Sequence, residues 1–156
     1  MDIIKKLRYV LLALLIALDQ GVKYLVRLNM VPGESSPVIK NIFHITYVQN
    51  KGVAFSLFSG QGFVTIIIPL LGIIFAIYYM ERHGKSEHWT LTASLLLIAS
   101  GGLGNIIDRL TMGFVTDMFD FRIWPVFNVA DIAICVGACV MVLYVAYGEK
   151  WQKKRL

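Results

Sequence analysis

Charge is what this sequence has least of: only 16% of its 156 residues are Asp, Glu, Lys or Arg, whereas a soluble domain carries about a quarter. That scarcity, beside a hydrophobic share of 57%, excludes an ordinary soluble domain. Cysteine is scarce too. Cys135 and Cys139 lie four apart in an apolar run with no His partner, which supports neither a disulfide framework nor a metal knuckle, and they read as packing residues. The three histidines, His44, His83 and His88, are too scattered to share a metal. There is no Gly-x-Ser-x-Gly motif and no Cys/His pair at a plausible depth, so serine and cysteine nucleophiles lose support. Gly101, Gly102 and Gly104 follow no strand and precede no Lys-Ser or Lys-Thr; they permit close helix packing rather than cradle phosphate. With no repeat and no low-complexity tract, residues 1–156 read as one membrane domain.

What is present is long apolar runs. Residues 52–80, 88–107 and 132–148 contain no Asp, Glu, Lys or Arg. At about 1.5 Å per residue, four segments are long enough to cross a hydrocarbon layer: 8–27, 63–81, 89–110 and 127–147. The first resembles a secretory signal peptide, but no small-residue cleavage site follows it, so it reads as a retained span. The net charge of +5 invites a nucleic-acid reading. The basic residues, however, fall in short clusters between apolar runs and act as topology signals. Lys5, Lys6, Arg8, Arg82, Lys85, Lys150, Lys153, Lys154 and Arg155 collect on one side, against Arg27, Lys40, Lys51 and Arg122 on the other. Both termini are therefore expected in the cytoplasm.

The large outer loop, 28–62, has the patterning of structure. Phe43, Ile45 and Tyr47 alternate with His44, Thr46 and Val48 after the breaker Pro37, which predicts one or two short strands within 38–48. Val53, Ala54, Phe55, Leu57 and Phe58 predict a short helix over 53–62 lying on the membrane surface. The expected fold is mainly α: four transmembrane helices with a small outer-face β-sheet and a short surface-lying helix. The second outer loop, 111–126, is aromatic enough to dip into the interface.

Ionisable groups at membrane depth cost up to about 3 kcal/mol each, so their positions carry information. Counting inward from Arg8, Asp19 lies about 16 Å along the first span and Lys23 about 22 Å, both in the outer half. Asp108 and Arg109 close the third span and Asp131 opens the fourth, so all five reach the same leaflet. Asp117 and Asp120 lie in the adjoining loop. Two carboxylates in one low-dielectric site tend to share a proton, which is the basis of an aspartyl hydrolase: the ionised partner activates water and the protonated one hydrogen-bonds the scissile carbonyl. Asp117 and Asp131 fit that role, with Asp108 and Asp120 still in contention. A structural reading stands beside it. Asp19 with Lys23 and Asp108 with Arg109 look like ion pairs, Arg109 could equally anchor the interface, and Asn105 and Asn128 could be interhelical hydrogen-bond glue. A small transporter is a competing class, but the inner halves of the later spans lack the charges a full pathway needs. A non-catalytic scaffold has no evident use for charges gathered at one depth.

Five ordered motifs then carry a resemblance: Asp19-Gln-Gly-Val-Lys23, Gln49-Asn-Lys-Gly-Val-Ala-Phe-Ser56, Gly101-Gly-Leu-Gly-Asn-Ile-Ile-Asp-Arg109, Val115-Thr-Asp117 and Phe127-Asn-Val-Ala-Asp131. Over essentially the whole chain the sequence resembles bacterial lipoprotein signal peptidase, or signal peptidase II. The resemblance implies that Asp117 and Asp131 are the catalytic aspartates. It further implies that Asn50, Asn105, Arg109 and Asn128 surround the substrate or the pair, and that Asp19, Lys23 and Asp108 give polar support. It implies an intramembrane aspartyl endopeptidase of the inner membrane that cuts prolipoproteins just before a diacylglyceryl-modified cysteine, with its site toward the outer leaflet. No metal or other cofactor is expected. The implied partners are lipid-modified signal peptides, membrane phospholipids and the family's cyclic peptide inhibitors, with no nucleic acid, and the chain is expected to act as a monomer.

Overall fold

The computed structural model describes residues 3–52, 62–84 and 88–152. Along the chain these form α1 (Ile3–Asn29), β1 (Ser35–Ile39), β2 (Phe43–Asn50), α2 (Gly62–His83), α3 (Trp89–Met112), β3 (Val115–Asp120) and α4 (Val129–Gln152). All four helices are long and apolar enough to cross a membrane. Each runs past its expected C-terminal limit, because the limits drawn from hydropathy stop where polar residues begin, whereas the helical hydrogen bonds continue beyond them; α4 starts two residues later than expected, at Val129. The expected surface helix over 53–62 falls almost wholly outside the described residues.

The helix α3 is the hub. Within its most apolar window 67% of residues are buried, against 17%, 22% and 17% in α1, α2 and α4. Its small residues make this possible. A Cβ on Gly101 would lie 2.3 Å from the Ala130 carbonyl oxygen, and one on Gly102 would lie 2.8 Å from Ile73 Cδ1. On the other side of the contact, a Cβ on Gly137 of α4 would meet the Ser94 carbonyl oxygen at 2.8 Å. Helix backbones thus approach without a side chain between them, as expected where lipid supplies no hydrophobic drive toward association. Ile73, Ala76 and Met80 of α2 fill the remaining α2/α3 seam with Leu95, Leu96, Ala99 and Ile106. Leu18, Phe75 and Val145 point outward, as a lipid-facing surface requires. So do Cys135 and Cys139, which corrects their reading as packing residues: α4 meets α3 through the face bearing Ala130, Ile134 and Gly137, and the cysteines lie off it.

At one end of the bundle Arg8 of α1 donates to the carbonyls of Met80 and Gly84, and Lys5 pairs with Glu81. At the other end sits an antiparallel sheet of order β1-β2-β3, docked on α1 through Val26, Tyr47 and Met118. The period-two pattern at 43–48 is the middle strand. Pro37 is not a breaker but part of β1, an edge strand, where a missing N–H is tolerated. The aromatic loop 111–126 is also corrected. Gly113 ends α3 in the left-handed region (φ 76°), its N–H bonded to the Arg109 carbonyl, and the chain turns directly into the third strand.

Candidate active site

Asp117 and Asp131 reach the site from different elements. Asp117 is in the middle of β3, opposite Val48 of β2, while Asp131 lies in the first turn of α4. What joins them is Asn128, fully buried at the N-cap of α4. Its Oδ1 accepts from the Asp131 N–H at 2.9 Å, and its own N–H donates to Asp131 Oδ2 at 3.2 Å. This is a capping box built with aspartate, in which two otherwise unpaired helix N–H groups are satisfied reciprocally. The Asn128 amide is then aimed away from the helix, and Nδ2 donates to Asp117 Oδ1 at 2.6 Å.

Two further amides complete the polar shell. Asn50 Nδ2 donates to Asp117 Oδ2 at 3.0 Å, held in that orientation because its Oδ1 accepts from the Gly52 N–H at 2.9 Å. Asn105 Nδ2 donates to Asp131 Oδ1 at 2.8 Å. The two asparagines on α3 and at the α4 cap also bond to each other, Asn128 Nδ2 to Asn105 Oδ1 at 3.2 Å. The reading of Asn105 and Asn128 as hydrogen-bond glue between elements is met by this bond, and the same two amides also donate to Asp131 and Asp117.

Asp117 is 2% exposed, and burial followed by the nearby Asp131 charge pushes its carboxyl up to about 7. Donation from Asn50 and Asn128 and the charge of Lys23 act in the opposite direction. The outcome is a carboxyl that exchanges its proton near neutrality, as general acid-base work requires. Arg109 donates to the Gly52 carbonyl at 3.1 Å, within electrostatic reach of both aspartates, which gives it neither the ion pair with Asp108 nor the free interface position considered from sequence. Consecutive helix residues point about 100° apart, so Asp108 faces elsewhere.

Asp108 belongs to a buried network behind the pair. Lys23 Nζ lies 2.8 Å from Asp19 Oδ2 and 3.6 Å from Asp108 Oδ2, which bears out the Asp19–Lys23 pair. Arg27 lies 3.5 Å from Asp108 Oδ1 and donates to Thr116 Oγ1 at 3.0 Å. Gln20 Nε2 donates to Asp108 Oδ1 and to the Gly104 carbonyl at 3.1 and 3.0 Å. Arg27, taken from sequence as an outer-loop charge, and Gln20 were the residues missed. The signal for Arg27 was present: 19, 23 and 27 are one helix face at four-residue spacing.

Asp120 stands apart. It accepts from Thr46 Oγ1 (2.8 Å), from the Arg122 N–H (2.8 Å) and from Arg122 Nη1 (2.9 Å). Burial opposes its charge, but these bonds outweigh it and hold the carboxyl below its usual range. It is therefore a structural anion of the sheet rather than an interfacial group. Among the described residues, no three His, Cys, Asp or Glu side chains gather as a metal site.

Four membrane-length helices with two carboxylates at one end, Asp117 buried and Asp131 half-buried, each accepting from an asparagine amide, define the class: a multi-pass membrane enzyme of the aspartic type. The family model described as signal peptidase (SPase) II matches residues 11–147, and the chain belongs to that family. It is 46% identical to the lipoprotein signal peptidase of Halothermothrix orenii, over 91% of this chain and 97% of that one. It is 43% identical to that of Clostridioides difficile, over 89% of this chain and 94% of that one. A solved bacterial membrane enzyme superposes with a TM-score of 0.83 at 27% identity, covering 96% of this chain and 92% of the other.

Proposed function

We propose that Asp117 and Asp131 are the catalytic pair of this enzyme, with Asn50, Asn105, Arg109 and Asn128 as binding and supporting groups. The protein is an aspartic endopeptidase of the inner membrane that removes the signal peptide from diacylglyceryl-modified prolipoproteins, cutting just before the modified cysteine. The observation that carries the site reading is Asn128, whose side-chain amide donates to the Asp117 carboxylate and whose backbone N–H donates to the Asp131 carboxylate. With one proton between them, the ionised aspartate takes a proton from water as the oxygen attacks the scissile carbonyl carbon, while the protonated partner donates to the carbonyl oxygen. The proton taken from water then passes to the scissile nitrogen as the C–N bond breaks, and the partner, now ionised, takes back a proton from the diol hydroxyl as the new carboxyl forms. Arg109 and the asparagine amides supply donors for the peptide backbone or ester groups of the substrate.

Both termini lie in the cytoplasm and the site opens toward the outer leaflet, where the lipid chains of the substrate reside. The basic residues at the Arg8 end of the bundle support that orientation. Membrane phospholipids surround a monomer, and cyclic peptide inhibitors of the family compete at the same site.

The test is cleavage of a lipid-modified prolipoprotein by purified Asp117→Asn and Asp131→Asn, with and without such an inhibitor. Both variants are expected to insert into membranes and to cut nothing. Wild-type cleavage by either removes that residue from the pair.

A further inference from the structure

Behind the aspartates, Lys23 is fully buried where α1 meets α3, α4 and β3. Its ammonium has three partners: Asp19, Asp108 and, at 2.9 Å, Asn105 Oδ1. Each partner has a second attachment next to the catalytic pair. Asp19 Oδ1 accepts from the backbone N–H of Ala130, the neighbour of Asp131, at 2.8 Å. Asp108 Oδ2 accepts from the backbone N–H of Thr116, the neighbour of Asp117, at 2.9 Å. Asn105 Nδ2 donates to Asp131 itself.

The chemistry of the ammonium matters at each point. A carboxamide has nearly the same shape either way round, but its ends have opposite hydrogen-bonding sense. An ammonium only donates, so it holds Oδ1 of Asn105 toward itself and leaves Nδ2 for Asp131. Asp19 and Asp108, both within 1% of fully buried, would stand as like charges in a low dielectric without a cation between them. Arg27 reaches only Asp108 among these, and Arg109 is turned toward Gly52.

We propose that Lys23 is the positioning residue of the aspartate pair: one ammonium sets the Asn105 amide and ties together Asp19 and Asp108, the two carboxylates that hold the backbone beside Asp131 and Asp117. This rests on the pair assigned above. Lys23 acts through its neighbours, and its charge is also felt at Asp117. Misplacement of a catalytic group by about 1 Å can cost on the order of a hundredfold in rate.

The experiment compares Lys23→Met, which keeps the length and loses the charge, with the wild-type enzyme on a lipid-modified prolipoprotein. The expected result is a kcat lower by about a hundredfold with KM within about threefold. The alkaline limb of the pH profile should move to higher pH because a cation near Asp117 is gone. Packing alone would alter the folded yield and leave the kcat of folded protein and the pH limb in place. If Lys23→Met does not fold, Lys23→Met/Asp19→Asn, which removes the carboxylate left without a cation and keeps an oxygen for the Ala130 N–H, carries the same test. Wild-type kcat and an unmoved limb in the variant that folds overturn the proposal. Asp117→Asn and Asp131→Asn run in parallel: if both are inactive while Lys23→Met is normal, only the role of Lys23 fails, whereas cleavage by either fails the pair itself.

Discussion

Asn128 and Asp131 form a reciprocal pair in which each backbone N–H donates to the other's side chain, at 2.9 and 3.2 Å. The helix cap and the proposed active site are therefore one object, and a third bond from Asn128 to Asp117 extends it across that site. Serine is as good an N-cap as asparagine but has no amide to send to Asp117. Asn128→Ser is expected to keep thermal stability within about 1 kcal/mol of wild type while losing most of its cleavage rate. Asn128→Ala should lose both, and thermal unfolding beside a cleavage assay separates the two contributions.

The raised carboxyl of Asp117 sets the pH behaviour. The pair needs one proton, so kcat/KM should fall as pH rises through about 7. Asn50 donates to the ionised form and favours it, so Asn50→Ala should lower the rate and shift the falling limb to higher pH. A limb that stays in place when Asn50 is removed would mean that a different group controls it.

The same group links pH to stability. The folded state binds the Asp117 proton up to about 7, whereas an aspartate carboxyl in the unfolded chain releases it near 3.8, so this residue's contribution to stability is fully present below about 3.8 and is lost as pH rises through about 7. Asp117→Asn, neutral at every pH, should unfold at a higher temperature than wild type at pH 8 and show a smaller difference at pH 5. Thermal unfolding in detergent at the two pH values measures it, and an equal difference at both is the contrary outcome.

Gly104 has no room for a methyl group. A Cβ there would sit 2.5 Å from Asp19 Oδ2, the carboxylate shared by Lys23 and Ala130. Gly104→Ala should destabilise by about 1–3 kcal/mol and reduce cleavage by displacing Asp19. Gly72, with nothing near a Cβ, is the control, and Gly72→Ala should be close to neutral.

Asp120 serves the sheet. Asp120→Asn loses charge-assisted bonds to Arg122 and Thr46, so it should lower the unfolding temperature while retaining substantial cleavage. A fully folded but inactive Asp120→Asn would place the wrong aspartate of β3 in the site.

Much of the frame was legible in the chain. Four apolar runs of membrane length need no tertiary information, because lipid accepts only segments whose backbone bonds are internal. The gathering of Asp19, Lys23, Asp108 and Asp131 at one depth followed from counting along those runs. The third strand was hidden: Val115 to Asp120 is buried almost throughout, so its side chains show no polar and apolar alternation to read.

Where charge is allowed can be read along the chain, since each ionisable group in a span is costly enough to be placed for a reason. Which charge meets which follows from the packing of the elements. Asp117 and Asp120, an odd number of residues apart on one strand, point to opposite faces, and Asp108 and Arg109 diverge by the helical turn. Asp117 therefore joins Asn128 at the Asp131 cap while Asp120 pairs with Arg122, and Asp108 turns to Lys23. Depth is a property of position along a helix, which a count of residues measures. Partnership depends on direction, which is settled only when strand, cap and helix pack against one another.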